Sequence, residues 1–172
     1  MSLLRPLLRT LDGLLPPRRV HAHCDIPCGI YDPHLAQVGA LTVIRMNQLI
    51  EALQKPADGA SKLDQDRYEN SLARYVAVKE EHAELVKREV RIIWGDYFRP
   101  EHLEKHGNLH STTWSIMKLA SQARQQVNMQ VAQDLVAEVQ RFAEIFWDTK
   151  GVPVKRQPSN QTVGGELVVP AN

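Results

Sequence analysis

Residues 23–33 read HCDIPCGIYDP, and they hold both cysteines of the 172-residue chain, Cys24 and Cys28, with His23 directly before the first. Two thiols this close, beside an imidazole and with no thiol elsewhere, describe one small site. The backbone signals make the stretch a turn. Pro27 lacks a donor and pushes Ile26 toward an extended conformation, while Gly29 accepts a positive φ. Helix is expected at once afterwards, because Asp32 is a good N-cap and Pro33 suits the first helical position. The hook therefore hangs from a rigid element that decides where its thiols point.

The donor set narrows the metals. A closed tetrahedral zinc site wants four Cys or His ligands, and an iron–sulfur cluster is normally held by four thiolates, so two cysteines fit neither. A square-planar site of mixed nitrogen and sulfur donors suits nickel(II) or copper(II), and it can draw nitrogens from the main chain. The amide of Cys24 is one candidate. A free amine at residue 23 is the other, and it exists only if the chain is cut between Ala22 and His23.

Downstream of the hook the apolar pattern is helical. Residues 33–55 place Leu35, Val38, Met46, Leu49 and Leu53 near one face. Pro56 and Asp58-Gly59 end that helix. Residues 61–97 carry a stripe of Leu72, Tyr75, Val76, Ala83, Val86, Val90, Ile93, Trp94 and Tyr97, on a helix roughly 50 Å long. Pro100 and Gly107 punctuate a loop. Two further helices are expected at about 111–126, with Trp114, Met117 and Ala120 inward, and about 128–149, with Val131, Leu135, Val139, Phe142 and Phe146 inward. No strand alternation precedes the tail, so the expected fold is all-α, an antiparallel up-down four-helix bundle with an N-terminal metal-binding hook.

Composition agrees with one globular domain: 43% hydrophobic and 24% charged residues are ordinary usage, and no apolar run is long enough for a membrane span. Residues 1–22 hold four arginines, Arg5, Arg9, Arg18 and Arg19, against Asp12 alone, which leaves the remainder slightly acidic. A mildly acidic domain without a basic stripe interleaved with aromatics is no obvious nucleic-acid binder. The leader is leucine-rich, but Arg5, Pro6, Arg9 and Asp12 interrupt every apolar run, so it lacks a secretory core. It reads as a pro-segment. Residues 151–172 carry Pro153, Pro158, Gly164, Gly165 and Pro170 and are expected to be a mobile tail with little to pack. The expected division is thus 1–22, 23–150 and 151–172.

HCDIPCGIYDP resembles the amino-terminal nickel hook of the nickel-containing superoxide dismutases. WGDYFRP at residues 94–100 and IFWDTK at 145–150 resemble segments of the same family at similar separations. The resemblance implies one nickel ion per subunit, held by the terminal nitrogen and imidazole of His23, the amide nitrogen and sulfur of Cys24, and the sulfur of Cys28. It implies disproportionation of superoxide by Ni(II)/Ni(III), cutting between Ala22 and His23 by a dedicated peptidase, a homohexamer and a cytoplasmic location, with no nucleic-acid or membrane partner. Tyr31 resembles the tyrosine that borders the open face of the metal, and Asp25 the aspartate that orders the turn. Tyr97 is placed to hydrogen-bond near Tyr31. In the family a glutamate on the first helix and an arginine on the second hold the axial imidazole, whereas Gly39 and His82 stand at those positions here, so the expectation is that His82 or a neighbouring subunit's residue takes over.

Duller readings stand beside these. The cysteines can pair or act as a thiol switch, the same hook can serve a non-catalytic nickel carrier or sensor, and Tyr31 can simply anchor the hook on the bundle. His102, His106 and His110 stand four residues apart, but Gly107 makes a continuous helix and a second metal site between them improbable.

Overall fold

A computed structural model describes residues 29–171. The hook residues His23, Cys24, Asp25 and Cys28 and the leader lie outside the described residues.

Helix α1 (His34–Ala52) starts directly after the hook segment with Pro33 as its N-cap, one residue later than expected, and Asp32 lies just outside it, its carboxylate accepting a hydrogen bond from the His34 N–H at 2.8 Å. Gly59, at φ 82°, turns the chain. Helix α2 (Lys62–Ile92) begins at Ser61, whose hydroxyl accepts from the Asp64 N–H at 3.2 Å. Its last turn widens into a π-helical turn (Ile93–Tyr97). The segment expected as a loop after Pro100 contains a short helix, α3 (Pro100–Lys105), with proline in its first turn. Helices α4 (Leu109–Gln125) and α5 (Met129–Thr149) follow, and Asn128 caps α5 by accepting from the Val131 N–H at 3.2 Å.

The four long helices surround one core. α1 packs on α2 and α5, and α4 packs on the same two, which closes a ring. Val131, Leu135, Val139, Phe142 and Phe146 of α5 are all buried, and they meet Ala83, Val86, Val90 and Ile93 of α2, Ile116 and Ala120 of α4, and Ala36, Ala40 and Val43 of α1.

Two expected inward faces are corrected. Leu35 and Val38 are 53% and 38% exposed, and α1 instead buries Ala36, Gln37, Gly39, Ala40, Val43 and Asn47. The physical reason is close approach. A Cβ on Gly39 would lie 3.0 Å from Val86 Cγ2 and 3.2 Å from the His82 carbonyl oxygen, so α1 presents its small residues to α2. Trp114 is likewise 64% exposed, with the Lys118 ammonium 4.4 Å from its ring, and Thr112, Thr113 and Ile116 face inward in its place.

The chain beyond α5 is also corrected: the fold of the described residues is mostly helical, as expected, but carries one small two-stranded sheet. Gly151, at φ 67°, ends α5, and strands β1 (Val154–Pro158) and β2 (Glu166–Pro170) pair antiparallel with Arg156 opposite Val168. This hairpin packs on α1 and α5 and buries Leu167 and Val168, so the segment has a partner surface after all.

Candidate metal centre

The described part of the hook segment is its exit. Gly29 has φ 71°, the left-handed value that its sequence position suggested. Tyr31 is half-buried and lies against the core cluster. Its ring centroid is 5.7 Å from that of Tyr97, with the planes at 52°.

Tyr97 is the centre of a larger aromatic group. Its ring is 5.2 Å from Phe98, 4.8 Å from Phe146 and stacked at 5.5 Å on His102. Such offset and tilted pairs are the favoured aromatic geometries. Tyr97 is the last residue of the π-helical turn, and its contacts reach the end of α5. The Tyr97 hydroxyl and the Thr149 hydroxyl are 2.9 Å apart, and Thr149 donates its own proton to the Phe146 carbonyl at 2.7 Å. The Thr149 oxygen is therefore the acceptor, and Tyr97 the donor, in the bond between them. Lys150 carries its ammonium 5.5 Å from the Tyr97 ring centroid and 5.1 Å from that of Phe146, within cation–π range.

WGDYFRP supplies Tyr97 and Phe98 to this group, and IFWDTK supplies Phe146, Thr149 and Lys150. Two strings some fifty residues apart in the chain thus converge on Tyr97, whose ring lies against Tyr31 at the exit of the hook. The roles of Thr149, Lys150 and His102 were missed from sequence. Only their membership of, or nearness to, those strings marked them.

His82 is half-buried, and its Nδ1 lies 2.8 Å from the Val78 carbonyl oxygen. A carbonyl only accepts, so Nδ1 carries the proton and a neutral ring leaves Nε2 as an acceptor. Gly39 and His82 are neighbours across the α1–α2 contact, through the His82 main chain.

The three spaced histidines each have a structural partner. His102 Nδ1 accepts from the Arg99 N–H at 3.2 Å, His110 Nδ1 accepts from the Trp94 indole at 2.9 Å, and His106 Nε2 lies 2.7 Å from Asp148. That last contact is close but too poorly aligned to satisfy the ring nitrogen as a hydrogen bond, so it is electrostatic. Asp148 also meets Lys105 at 2.7 Å, and the hydrogen bond from Lys105, joined by His106, holds its carboxyl below the usual range. Among the described residues no group of three His, Cys, Asp or Glu side chains is placed to hold a metal. The donor set that suits one is the hook itself: two thiols, an imidazole and main-chain nitrogens, which fit a nickel ion.

Comparison with known proteins places the chain. Residues 18–150 match the family described as nickel-containing superoxide dismutase. The chain is 33% identical over 141 residues to the superoxide dismutase [Ni] of Streptomyces coelicolor, an overlap that covers 81% of this chain and 98% of that one. It is 31% identical to the corresponding protein of Streptomyces seoulensis over the same shares. Its fold is similar to the native structure of a nickel superoxide dismutase, with a TM-score of 0.63 and 31% identity over 74% of this chain and 99% of the other. A structure of the apo form is similar with a TM-score of 0.61 at 28% identity. By its hook sequence, by the two segments that meet at Tyr97, and by a match that spans most of its length, this chain belongs to the nickel-containing superoxide dismutase family.

Proposed function

We propose that the working enzyme begins at His23 and holds its nickel ion through three residues of the hook. Family membership makes the chain an oxidoreductase that disproportionates superoxide to dioxygen and hydrogen peroxide with nickel as cofactor. The donors in this reading are the α-amine and imidazole of His23, the amide nitrogen and thiolate of Cys24, and the thiolate of Cys28. Bound there, nickel supplies the one-electron couple, which electron-rich thiolate and amide donors bring into a range that superoxide can both reduce and oxidise.

The chain's own residues do the rest. Both thiols and the amine, whose free pKa is about 8, must lose protons to bind, so metal uptake weakens as pH falls. Asp25 orders the turn that spaces the two thiols. Tyr31 borders the open side and limits entry to small anions. Its ring is backed by Tyr97, itself tethered to Thr149. That backing is the observation that carries the reading, because a gate needs a fixed wall. His82 offers Nε2 to the hook imidazole in place of the absent glutamate and arginine.

The coarser architecture fits the same account. The four long helices are taken as an antiparallel up-down bundle, supported by each one packing on the long helix next to it in the chain. Ile30, Leu35 and Val38 are 81%, 53% and 38% exposed beside the hook exit, which supports a neighbouring subunit over this flank and the homohexamer as the assembled form. Maturation is assigned to a peptidase that cuts between Ala22 and His23 in the cytoplasm.

The test compares residues 23–172, with His23 as the true first residue, against the full chain, each supplied with nickel. Only the trimmed form is expected to consume superoxide. Equal rates for the two would overturn the role of the free amine. His82→Gln is expected to alter the nickel(III) spectrum of the trimmed enzyme, and an unchanged spectrum removes His82 from the account.

A further inference from the structure

The hairpin of β1 and β2 begins where the family match ends, at residue 150, so the family reading assigns it nothing. Its grip on the bundle is nonetheless specific. Gln37, only 3% exposed and one turn into α1, donates from Nε2 to the Val168 carbonyl at 3.0 Å and accepts the Val168 N–H on Oε1 at 2.7 Å. A side-chain amide that pairs with both main-chain groups of one strand residue does what a neighbouring strand would do. β2 thus has β1 along one edge and α1 along the other. Two more contacts tighten the seam: Leu41 fits so closely against Gly165 that a Cβ there would lie 2.9 Å from Leu41 Cδ2, and Gln48 donates to the Val163 carbonyl at 3.4 Å.

The same hairpin is held on α5 independently. Gln140 donates to the Glu166 carbonyl at 2.8 Å and accepts from Arg156 at 3.1 Å, while Arg156 reaches Glu144 at 2.7 Å. The hairpin therefore bridges α5, which is anchored in the core along its whole length, to the first turns of α1. Those turns have little else on that side. Leu35 and Val38 are exposed, and the α1 start has no side-chain cap beyond the single contact from Asp32.

We propose that the C-terminal hairpin is a positioning clamp for the metal hook, with Gln37 as the positioning residue: by fixing the first turn of α1 to α5 it sets the direction of the exit segment Gly29–Tyr31, to which the hook is joined. The inference rests on the hook being the nickel site. Groups that orient metal ligands from outside the coordination sphere commonly change metal affinity by about 10- to 100-fold when removed. An exit held on both sides suits a chain in which Gly39 and His82 replace the family's glutamate and arginine.

The test uses two variants of the trimmed, nickel-loaded enzyme. Gln37→Glu keeps the shape but leaves the Val168 carbonyl facing an acceptor. Gln140→Ala loosens the hairpin from α5 without touching α1. Three quantities are read: nickel release to a chelator, hydrogen exchange of residues 34–41, and the thiolate-to-nickel absorption band. Gln37→Glu is expected to release nickel about tenfold faster, to speed exchange in the first turns of α1 and to shift the band. Gln140→Ala is expected to lower the melting temperature with a smaller change in release. Release at the parent rate from Gln37→Glu, or slower release from it than from Gln140→Ala, overturns the clamp. If the parent enzyme itself binds no nickel, the failure belongs to the hook assignment, whereas the exchange measurement on the metal-free protein still judges the clamp: parent-like exchange in Gln37→Glu overturns it.

Discussion

Helices α5 and α1 both line the core, and they do it by opposite means. α5 buries a continuous apolar stripe that includes Phe142 and Phe146, each fully buried, so its place follows from burial alone. α1 turns alanines and a glycine inward, leaves Leu35 and Val38 outside, and is fixed by near contact at Gly39 and by the Gln37 amide. The difference separates two ways of holding a helix. One depends on area and tolerates small shifts, and the other depends on a few atoms at set distances. The segment Gly29–Pro33, which joins the hook to the bundle, leads into the second kind.

The largest expected effect breaks the first kind. Phe142→Ala should cost about 4 kcal/mol, the usual size for a buried aromatic replaced by alanine, measured as a shift in urea unfolding of the metal-free protein. A loss under about 1 kcal/mol would mean the core collapses around the gap.

Gly39→Ala probes the second kind. The new methyl has to push against Val86 and the His82 carbonyl, so a net loss of about 1 kcal/mol is expected even though alanine is the better helix former. Paired with unchanged hydrogen exchange in α5, that result would show the α1–α2 spacing to be locally set. A gain in stability would show that the spacing is slack.

Acid sharpens the contrast at the far end of α5. The hydrogen bond from Lys105, with His106 beside it, depresses the Asp148 carboxyl, so the native form binds its proton less readily than the unfolded chain. The contribution is therefore complete above the ordinary aspartate pKa and disappears as pH falls through the lower native value, below about pH 4. Asp148→Asn should flatten that part of the stability profile and leave the neutral region nearly unchanged. A profile as steep as the parent's would place the acid sensitivity elsewhere.

Glu84 should add to the same limb. Partial burial acts against its ionisation, but the hydrogen bond from Arg91 and the charges of Lys87, Arg91 and Arg124 outweigh it and lower its pKa. Because it is largely exposed, the effect of Glu84→Gln is expected to be the smallest, below about 0.5 kcal/mol at neutral pH. A larger loss would mark the α2–α4 charge cluster as structural.

Much of the fold is legible in the chain. The α5 stripe and the cap at Asn128 are readable because a helix with one apolar face has one way to bury it. α1 is not readable that way, since apolar residues occur around most of its circumference and periodicity names a face without saying which neighbour covers it. Trp114 failed for a related reason: a large aromatic at helical spacing looks like core, yet its indole lies outside beneath Lys118. The hairpin was hidden by its prolines and glycines, which mark turns equally well in a paired strand and in a loose tail. At the candidate site, Tyr31 and its link to Tyr97 were visible in the motifs, but Thr149 and Lys150 had no signal apart from the string that contains them.

By itself the sequence determined the family, because two thiols and an imidazole within a few residues, followed by two matching strings downstream, are read without any tertiary contact. It determined the helices too, whose stripes and caps are local. Only the tertiary structure decided which side of α1 faces inward, that residues 154–158 pair with 166–170 and grip Gln37, and that WGDYFRP and IFWDTK meet at Tyr97 beside Tyr31. Those outcomes rest on distances between parts of the chain far apart in sequence, where the fit of one surface against another, and not the preference of any residue, sets the result.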